Sequence, residues 1–141
     1  MNPTLKEGER LLISNFFYTP EAGDIIVFQA DAKLAAKADE IRASEAVVKR
    51  VIATEGQTVR ITNGTVYVDG EPLSEDYTMS PHTYRYPNMS EITVSEGHVF
   101  VLGDNRDHSV DSRRFGEVDE RTILGKVLIR LLPLSSFGGV N

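Results

Sequence analysis

Gly103 to Gly116 reads Gly-Asp-Asn-Arg-Asp-His-Ser-Val-Asp-Ser-Arg-Arg-Phe-Gly and follows directly on the apolar run Val99-Phe100-Val101-Leu102. Three aspartates, three arginines, two serines and a histidine fall within these fourteen positions. A surface loop needs only polarity and turn residues. Acids alternating with arginines supply what a partly buried salt-bridge network requires, since a buried charge is costly unless paired. Asp107, His108, Ser109 and Asp111 contain the residue types of a Ser-His-Asp triad. Triad members come from separated segments, however, and side chains this close in sequence do not converge on one another. A calcium loop fits no better, because the acids lack alternate spacing around a central glycine.

A lysine general base is the stronger chemical candidate. Ala46-Val47-Val48-Lys49-Arg50-Val51-Ile52-Ala53 is a strand by its β-branched content. Alternation places Lys49 with Val47 and Val51 on one face, and Arg50 with Val48 and Ile52 on the other. Both cations could snorkel outward along their stems. In a central strand at least one must point inward, and the lysine is the one whose charge burial can remove. Bringing an ammonium from ~10.4 to near ~7 takes roughly 4–5 kcal/mol of differential destabilisation. Burial among valines can supply that. A hydroxyl neighbour would then orient the neutral amine, which would take the proton of a nucleophilic serine.

Many short strands must position such a site. Arg10-Leu11-Leu12-Ile13 and Asp24-Ile25-Ile26-Val27-Phe28 read as strands joined through the turn residues Pro20-Glu21-Ala22-Gly23. Phe16-Phe17-Tyr18 suits either the core or an exposed apolar rim for lipid or an extended peptide. Residues 29–46, alanine-rich and free of proline and glycine, suit a short helix or a solvated excursion inserted between strands. Thr58-Val59-Arg60-Ile61 and Thr65-Val66-Tyr67-Val68 flank Asn63-Gly64, the strongest short hairpin signal. Ser74 to Ser95 is polar, with Pro81 and Pro87 and tyrosines at 77, 84 and 86, and reads as a loop-rich flap. Ile92-Thr93-Val94 and His98 to Leu102 resume the strand pattern. Arg121 to Leu124 suits a helical turn, and Gly125 to Leu131 is a last strand. The expectation is a mostly β, antiparallel fold.

The bulk properties narrow the function classes. At 141 residues the chain has the length of one domain with a real core. A net charge of -6 argues against a nucleic-acid partner, which favours a basic stripe. The absence of cysteine excludes disulfides, thiol catalysis and zinc-thiolate sites. His82, His98 and His108 lack metal-ligand spacing, so no metal is expected. No apolar run approaches the ~20 residues that span a bilayer, and no signal peptide opens the sequence.

Five stretches, in order, resemble the type I signal peptidases. Met1-Asn2-Pro3-Thr4-Leu5 is similar to the nucleophile segment, which in that family reads Ser-Met-x-Pro-Thr-Leu. Gly23-Asp24-Ile25-Ile26-Val27-Phe28 resembles the strand that follows, and Lys49-Arg50-Val51-Ile52 the strand carrying the general base. Gly103-Asp104-Asn105-Arg106-x-x-Ser109-x-Asp111-Ser112-Arg113 resembles the signature loop, and Gly125-Lys126 closes the pattern. The short form looks most like enzymes of Gram-positive bacteria.

The resemblance implies a Ser-Lys endopeptidase that removes signal peptides from secretory precursors after a small-residue, Ala-x-Ala-like site. It implies Lys49 as general base and Ser109 as the hydroxyl that orients it. Asp104, Asn105, Arg106, Asp111, Ser112 and Arg113 would brace the loop, with Asp104, Asp111 and Arg113 acting through ion pairs. No cofactor and no metal are implied. The partners would be signal peptides and, for the full-length enzyme, a lipid surface on the outer face of the cytoplasmic membrane. The implied fold is a curled, barrel-like β-sheet assembly in a single domain, 1–141, with 63–96 as a small cap and 29–46 as the insertion. Departures are Glu9 and Gln57 where the family usually has aspartate, and the serine itself, which would immediately precede Met1. The family's transmembrane anchor and part of its oxyanion hole lie further upstream. The expectation is therefore a shortened and inactive form of an active enzyme, or else a non-catalytic remnant that still binds signal peptides. A Ser-Lys self-cleaving regulator of the DNA-damage type fits less well, because two arginines flank Ser109 and Asp111 and no DNA-binding region is present.

Overall fold

The computed structural model describes residues 1, 4–6, 8–78, 88–132 and 138–139, with side chains as far as residue 128 in the last long strand. Among the described residues, eleven strands fall into two antiparallel sheets. They are β1 (Arg10–Ser14), β2 (Ile25–Gln29), β3 (Ala46–Thr54), β4 (Thr58–Thr62), β5 (Thr65–Val68), β6 (Glu71–Pro72), β7 (Met89–Thr93), β8 (His98–Leu102), β9 (Val118–Asp119), β10 (Ile123–Leu132) and β11 (Gly138–Gly139). The larger sheet runs β1-β10-β2-β3-β8-β9 with β11 on β10, and the smaller runs β6-β5-β4-β7. The expected antiparallel architecture is present. The larger sheet is an open path among the described residues rather than a closed barrel.

β2 and β3 lie near the middle of the larger sheet, and their register sets Ile26 opposite Lys49 and Ile25 opposite Arg50. Four consecutive residues of β2 are buried, which a strand covered on both faces requires. Ile26 and Phe28 join one core with Val47, Val51, Val101 and Phe115, while Ile25 and Val27 join another with Leu5 and Val127. Phe28 meets Phe115 edge to face at 6.2 Å, a geometry worth about 0.5–1.5 kcal/mol beyond area burial.

Residues 29–46, read as a short helix or a solvated excursion, are mostly exposed around a few buried anchors. They make one helical turn, α1 (Ala32–Ala35), whose N-terminus is capped by the Asp31 carboxylate accepting from the Leu34 N–H at 2.7 Å. Ala30, Leu34, Ala38 and Ile41 are buried in the core that includes β2, β3 and β8, and they anchor the segment there.

The smaller sheet begins at Thr58, before the 63 read as the start of the cap, and β7 starts at Met89, inside the stretch read as loop. Asn63 and Gly64 both have positive φ, +49° and +77°, as the two-residue hairpin turn demands. Val59, Ile61 and Val66 pack on Ile52, Ala53, Phe100 and Leu102. β3 and β8 therefore contribute to the core under α1 as well as to that of the smaller sheet and tie the sheets together. Pro81, Pro87, Tyr84 and Tyr86 lie outside the described residues.

The last long strand starts at Ile123, two residues earlier than read, directly after a 3-10 turn at Glu120–Thr122. Gly125 in it is a packing necessity. A Cβ there would lie 2.7 Å from the Ser14 carbonyl oxygen, so only glycine lets β10 approach β1 this closely. Phe16 and Phe17 are not core residues: they stand 81% and 91% exposed at the turn after β1. Tyr18 packs on the core and donates its hydroxyl to Asp24 at 2.7 Å.

Candidate active site

The site forms where β3 passes the end of β8. Register sets Arg50 opposite Leu102, the last residue of β8, and the chain then turns through Gly103 and Asp104. Arg50 is the more deeply buried of the two strand cations, at 2% exposure, with Lys49 only partly buried. The guanidinium stays charged because Asp104, fully buried, grips it twice: Nε donates to Oδ1 at 2.9 Å and Nη2 to Oδ2 at 2.8 Å. Arg50 Nη1 also donates to the Gly23 carbonyl at 2.9 Å. Such fork-to-fork pairing is the arrangement in which a buried arginine is tolerated.

The first residues of the chain close the same cluster. The Thr4 hydroxyl donates to Asp104 Oδ2, Leu5 N–H donates to the Met1 carbonyl at 3.0 Å, and the Leu5 side chain is buried in the core. Pro3 lies outside the described residues. The Met1 amino group is pushed below its ordinary pKa, mainly by burial and then by the Lys49 charge, with Asp104 opposing. Met1 therefore sits within electrostatic reach of Lys49.

The signature loop folds on itself through a 3-10 turn, Arg106–His108, and a single helical turn, α2 (Ser112–Phe115). Asp111 caps α2 and organises the loop. Its Oδ2 accepts from the Gly103 N–H at 3.1 Å and from Arg113 Nη2 at 2.8 Å, and its Oδ1 accepts from Arg113 Nε at 2.8 Å. Arg113 Nη2 also donates to the Arg106 carbonyl at 2.8 Å, and Arg106 Nε to the Gly103 carbonyl at 3.0 Å. The Ser112 hydroxyl accepts from the Val101 N–H at 2.9 Å, fastening α2 to β8. Asn105 precedes the 3-10 turn without a side-chain cap bond, and His108 is exposed.

Gly103 marks the convergence point. A Cβ there would fall 2.0 Å from Ser109 Oγ and 3.6 Å from Lys49 Nζ, so the lysine amine and the serine hydroxyl flank the same small space. Ser109 Oγ is buried without a hydrogen-bond partner among the described residues, although Lys49 is its near neighbour. Free catalytic hydrogen bonds are often long and tighten only with substrate bound. Burial pushes the Lys49 ammonium below its ordinary pKa; Asp111 and Asp104 resist, and Arg113 reinforces the shift. The arrangement offers a partly desolvated amine, a buried hydroxyl beside it, and charges around both held in pairs.

Sequence reasoning noted Arg50 as a cation in an apolar strand but gave no role in the site to it, Thr4, Glu75 or Tyr77, all of which contact this cluster. The one available signal was Arg50, a cation in an apolar strand that had to find a carboxylate. Among the described residues no group of three or more histidines, aspartates or glutamates is placed to hold a metal ion. A cavity of about 550 Å³ between α1 and β9 is lined by residues such as Lys33, His98 and Arg121, and by neither Lys49 nor Ser109.

Comparison with known proteins assigns this geometry to a family. The profile described as "Signal peptidase, peptidase S26" matches residues 1–132. A probable signal peptidase I-1 of Synechocystis sp. is 43% identical over 98% of this chain and 69% of its own length. Signal peptidase IB of Staphylococcus aureus is 36% identical over 97% of this chain and 75% of its own length. The crystal structure of a signal peptidase I from Enterococcus faecalis V583 superposes with a TM-score of 0.60 at 33% identity, covering 77% of this chain and 97% of that one. The chain belongs to the signal peptidase I family, the S26 serine endopeptidases.

Proposed function

We propose that this chain is the catalytic domain of a Ser-Lys endopeptidase that releases secreted proteins from their signal peptides, with residues 1–141 as one unit and the smaller sheet as its cap. The observation that carries the reading is the meeting of Lys49 Nζ and Ser109 Oγ at Gly103, with the Met1 amino group within electrostatic reach of Lys49. A serine joined to the Met1 nitrogen would enter beside Lys49. Its hydroxyl would attack the scissile carbonyl while Lys49 Nζ takes the proton, and the ammonium would return that proton to the departing amine. Water, deprotonated by the same lysine, would then hydrolyse the acyl-enzyme. Ser109 is the positioning hydroxyl for Lys49. Asp104, Arg106, Asp111, Ser112 and Arg113 keep the loop in register with β3.

No helix among the described residues is long and apolar enough to cross a membrane. Leu12, Ile13, Phe16, Phe17, Leu124 and Leu128 stand exposed on β1, β10 and the turn after β1. This apolar surface supports a lipid surface as the second partner, with the domain resting on the extracytoplasmic face of the cytoplasmic membrane.

The test compares two forms on a precursor with an Ala-x-Ala site. The chain beginning at Met1 is expected to be inactive, whereas a membrane-anchored form with serine before Met1 cleaves, and loses cleavage on Lys49→Ala while keeping its fold. Cleavage by the form beginning at Met1, or substantial turnover by folded Lys49→Ala, would overturn the reading.

A further inference from the structure

Two residues outside the signature loop reach into it from the connection that leaves the smaller sheet after β6. Arg106, 1% exposed, points its guanidinium at Glu75: Nη1 donates to Oε2 at 3.0 Å and Nη2 to Oε1. The Tyr77 hydroxyl donates to Glu75 Oε1 at 3.1 Å, and the Tyr77 ring lies 4.0 Å from the Arg50 guanidinium carbon. Burial, and then the Glu75 carboxylate, push the Tyr77 phenol above its ordinary pKa, so it stays a hydrogen-bond donor.

We propose that Glu75 and Tyr77 are positioning residues for the Lys49–Ser109 pair, acting through Arg106 and Arg50. The inference rests on the function proposed above and adds that the cap helps to set the dyad's geometry.

The route is short. Arg106 Nε holds the Gly103 carbonyl, while the Gly103 N–H is held by Asp111, which Arg113 joins back to the Arg106 carbonyl. Gly103 is thus clamped at both backbone polar groups, and its Cα faces Ser109 Oγ and Lys49 Nζ. Without the Glu75 carboxylate the Arg106 guanidinium would be left buried and poorly paired, a state that drives local rearrangement toward water. The group that moves with Arg106 is Gly103. On the other side, Tyr77 covers the guanidinium that fixes Asp104, the residue directly after Gly103. A displacement of about 1 Å at such a point costs up to about 100-fold in rate.

The experiment uses the full-length membrane enzyme with serine before Met1, assayed on a signal-peptide precursor across pH. Glu75→Gln is expected to lower kcat by about 10- to 100-fold with little change in KM. It is also expected to move the acidic limb of the kcat/KM profile to higher pH, because a loosened loop readmits water around Lys49. The charged groups facing that lysine in this enzyme are Asp111, Arg113 and Asp104, and the substitution removes none of them; the Met1 nitrogen is an uncharged peptide nitrogen once serine precedes it. Glu75→Asp should recover part of the rate. Should Glu75→Gln not fold, Tyr77→Phe keeps the ring over Arg50 and deletes only the hydroxyl, with an expected loss of roughly fivefold and the same direction of pH shift. A folded Glu75→Gln or Tyr77→Phe with parental kcat and pH profile overturns the proposal. So does a lower melting temperature alone with the acidic limb unmoved. Failure of the parent enzyme to cleave would instead refute the proposed function itself, and this proposal with it.

Discussion

Asp104→Asn preserves the shape of a fully buried side chain and removes its charge. Three donors converge on the carboxylate: Arg50 Nε at 2.9 Å, Arg50 Nη2 at 2.8 Å, and the Thr4 hydroxyl. An amide offers one acceptor and turns its NH2 group toward a guanidinium that has only donors, so Arg50 remains charged and loses its carboxylate. Breaking a buried pair in this way costs about 3–5 kcal/mol, a large part of the roughly 5–15 kcal/mol that stabilises a domain. At about 3–4 °C per kcal/mol for this chain length, the midpoint of thermal unfolding should fall by about 10–20 °C. Removing both charges, with Arg50→Met and Asp104→Leu together, eliminates the orphaned ion. What remains is the loss of partners for the Gly23 carbonyl and the Thr4 hydroxyl, about 1–3 kcal/mol in all. The double variant should therefore melt above the single one in circular dichroism. A single variant within about 1 kcal/mol of the parent, or a double variant less stable than it, would refute the claim that this pair is desolvated and that its cost lies in breaking it.

Other variants probe other parts of the site. Gly103→Ala would place a methyl 2.0 Å from Ser109 Oγ and 2.5 Å from Ser109 Cβ, so the loop must shift; the anchored enzyme should lose most of its kcat, and near-parental turnover would show that the convergence point lies elsewhere. Lys49→Met should be inactive yet more stable than the parent at neutral pH. Because burial lowers the folded-state pKa, the unfolded chain binds the extra proton in the window between that lowered value and the ordinary 10.5, so the parent's stability rises with pH there. Lys49→Met removes that rise, and parallel stability–pH curves for the two proteins would contradict the desolvation. Phe16→Ser with Phe17→Ser removes two exposed rings without touching the core. It should leave the melting temperature unchanged and weaken sedimentation with phospholipid vesicles by at least about 10-fold, at roughly 1.5–3 kcal/mol for each fully buried ring; unchanged sedimentation would remove these rings from the lipid-facing surface.

The strands were legible because apolar alternation and turn chemistry are local signals, and β2, β3, β5 and β8 begin within a residue of where the pattern placed them. What misled was residue type read without its position. Phe16 and Phe17 are apolar, but they occupy a turn in which Phe17 takes a φ of +45°, and that geometry points them into solvent. Alanine is indifferent to burial, so composition could not say which residues of 29–46 face the sheet: Ala30, Leu34, Ala38 and Ile41 do, while Ala32, Ala36, Ala43 and Ala46 are exposed. Gly125 resembled part of a motif, while its physical reason, the 2.7 Å approach to Ser14, exists only once β1 and β10 pair.

The same distinction governs the site. That the loop's acids and arginines would pair follows from the cost of a buried charge, and this much could be read from the chain. Which acid takes which arginine could not, because every carboxylate carries the same formal charge. Asp104 lies 54 residues from Arg50 and Glu75 lies 31 from Arg106. Asp104 reaches Arg50 because β3 pairs with β8 in a register that ends at Arg50 opposite Leu102, and Glu75 reaches Arg106 because the smaller sheet packs on Ile52, Ala53, Phe100 and Leu102 of the same two strands. Partner choice is therefore a consequence of strand register, and register is set by which apolar residues can be buried together. On this argument the hydrophobic pattern of β3 and β8, which carries no chemistry of its own, determines which charges surround Lys49. A one-residue slip of β3 would exchange the faces of Lys49 and Arg50 and dismantle the site while leaving every one of its residues present.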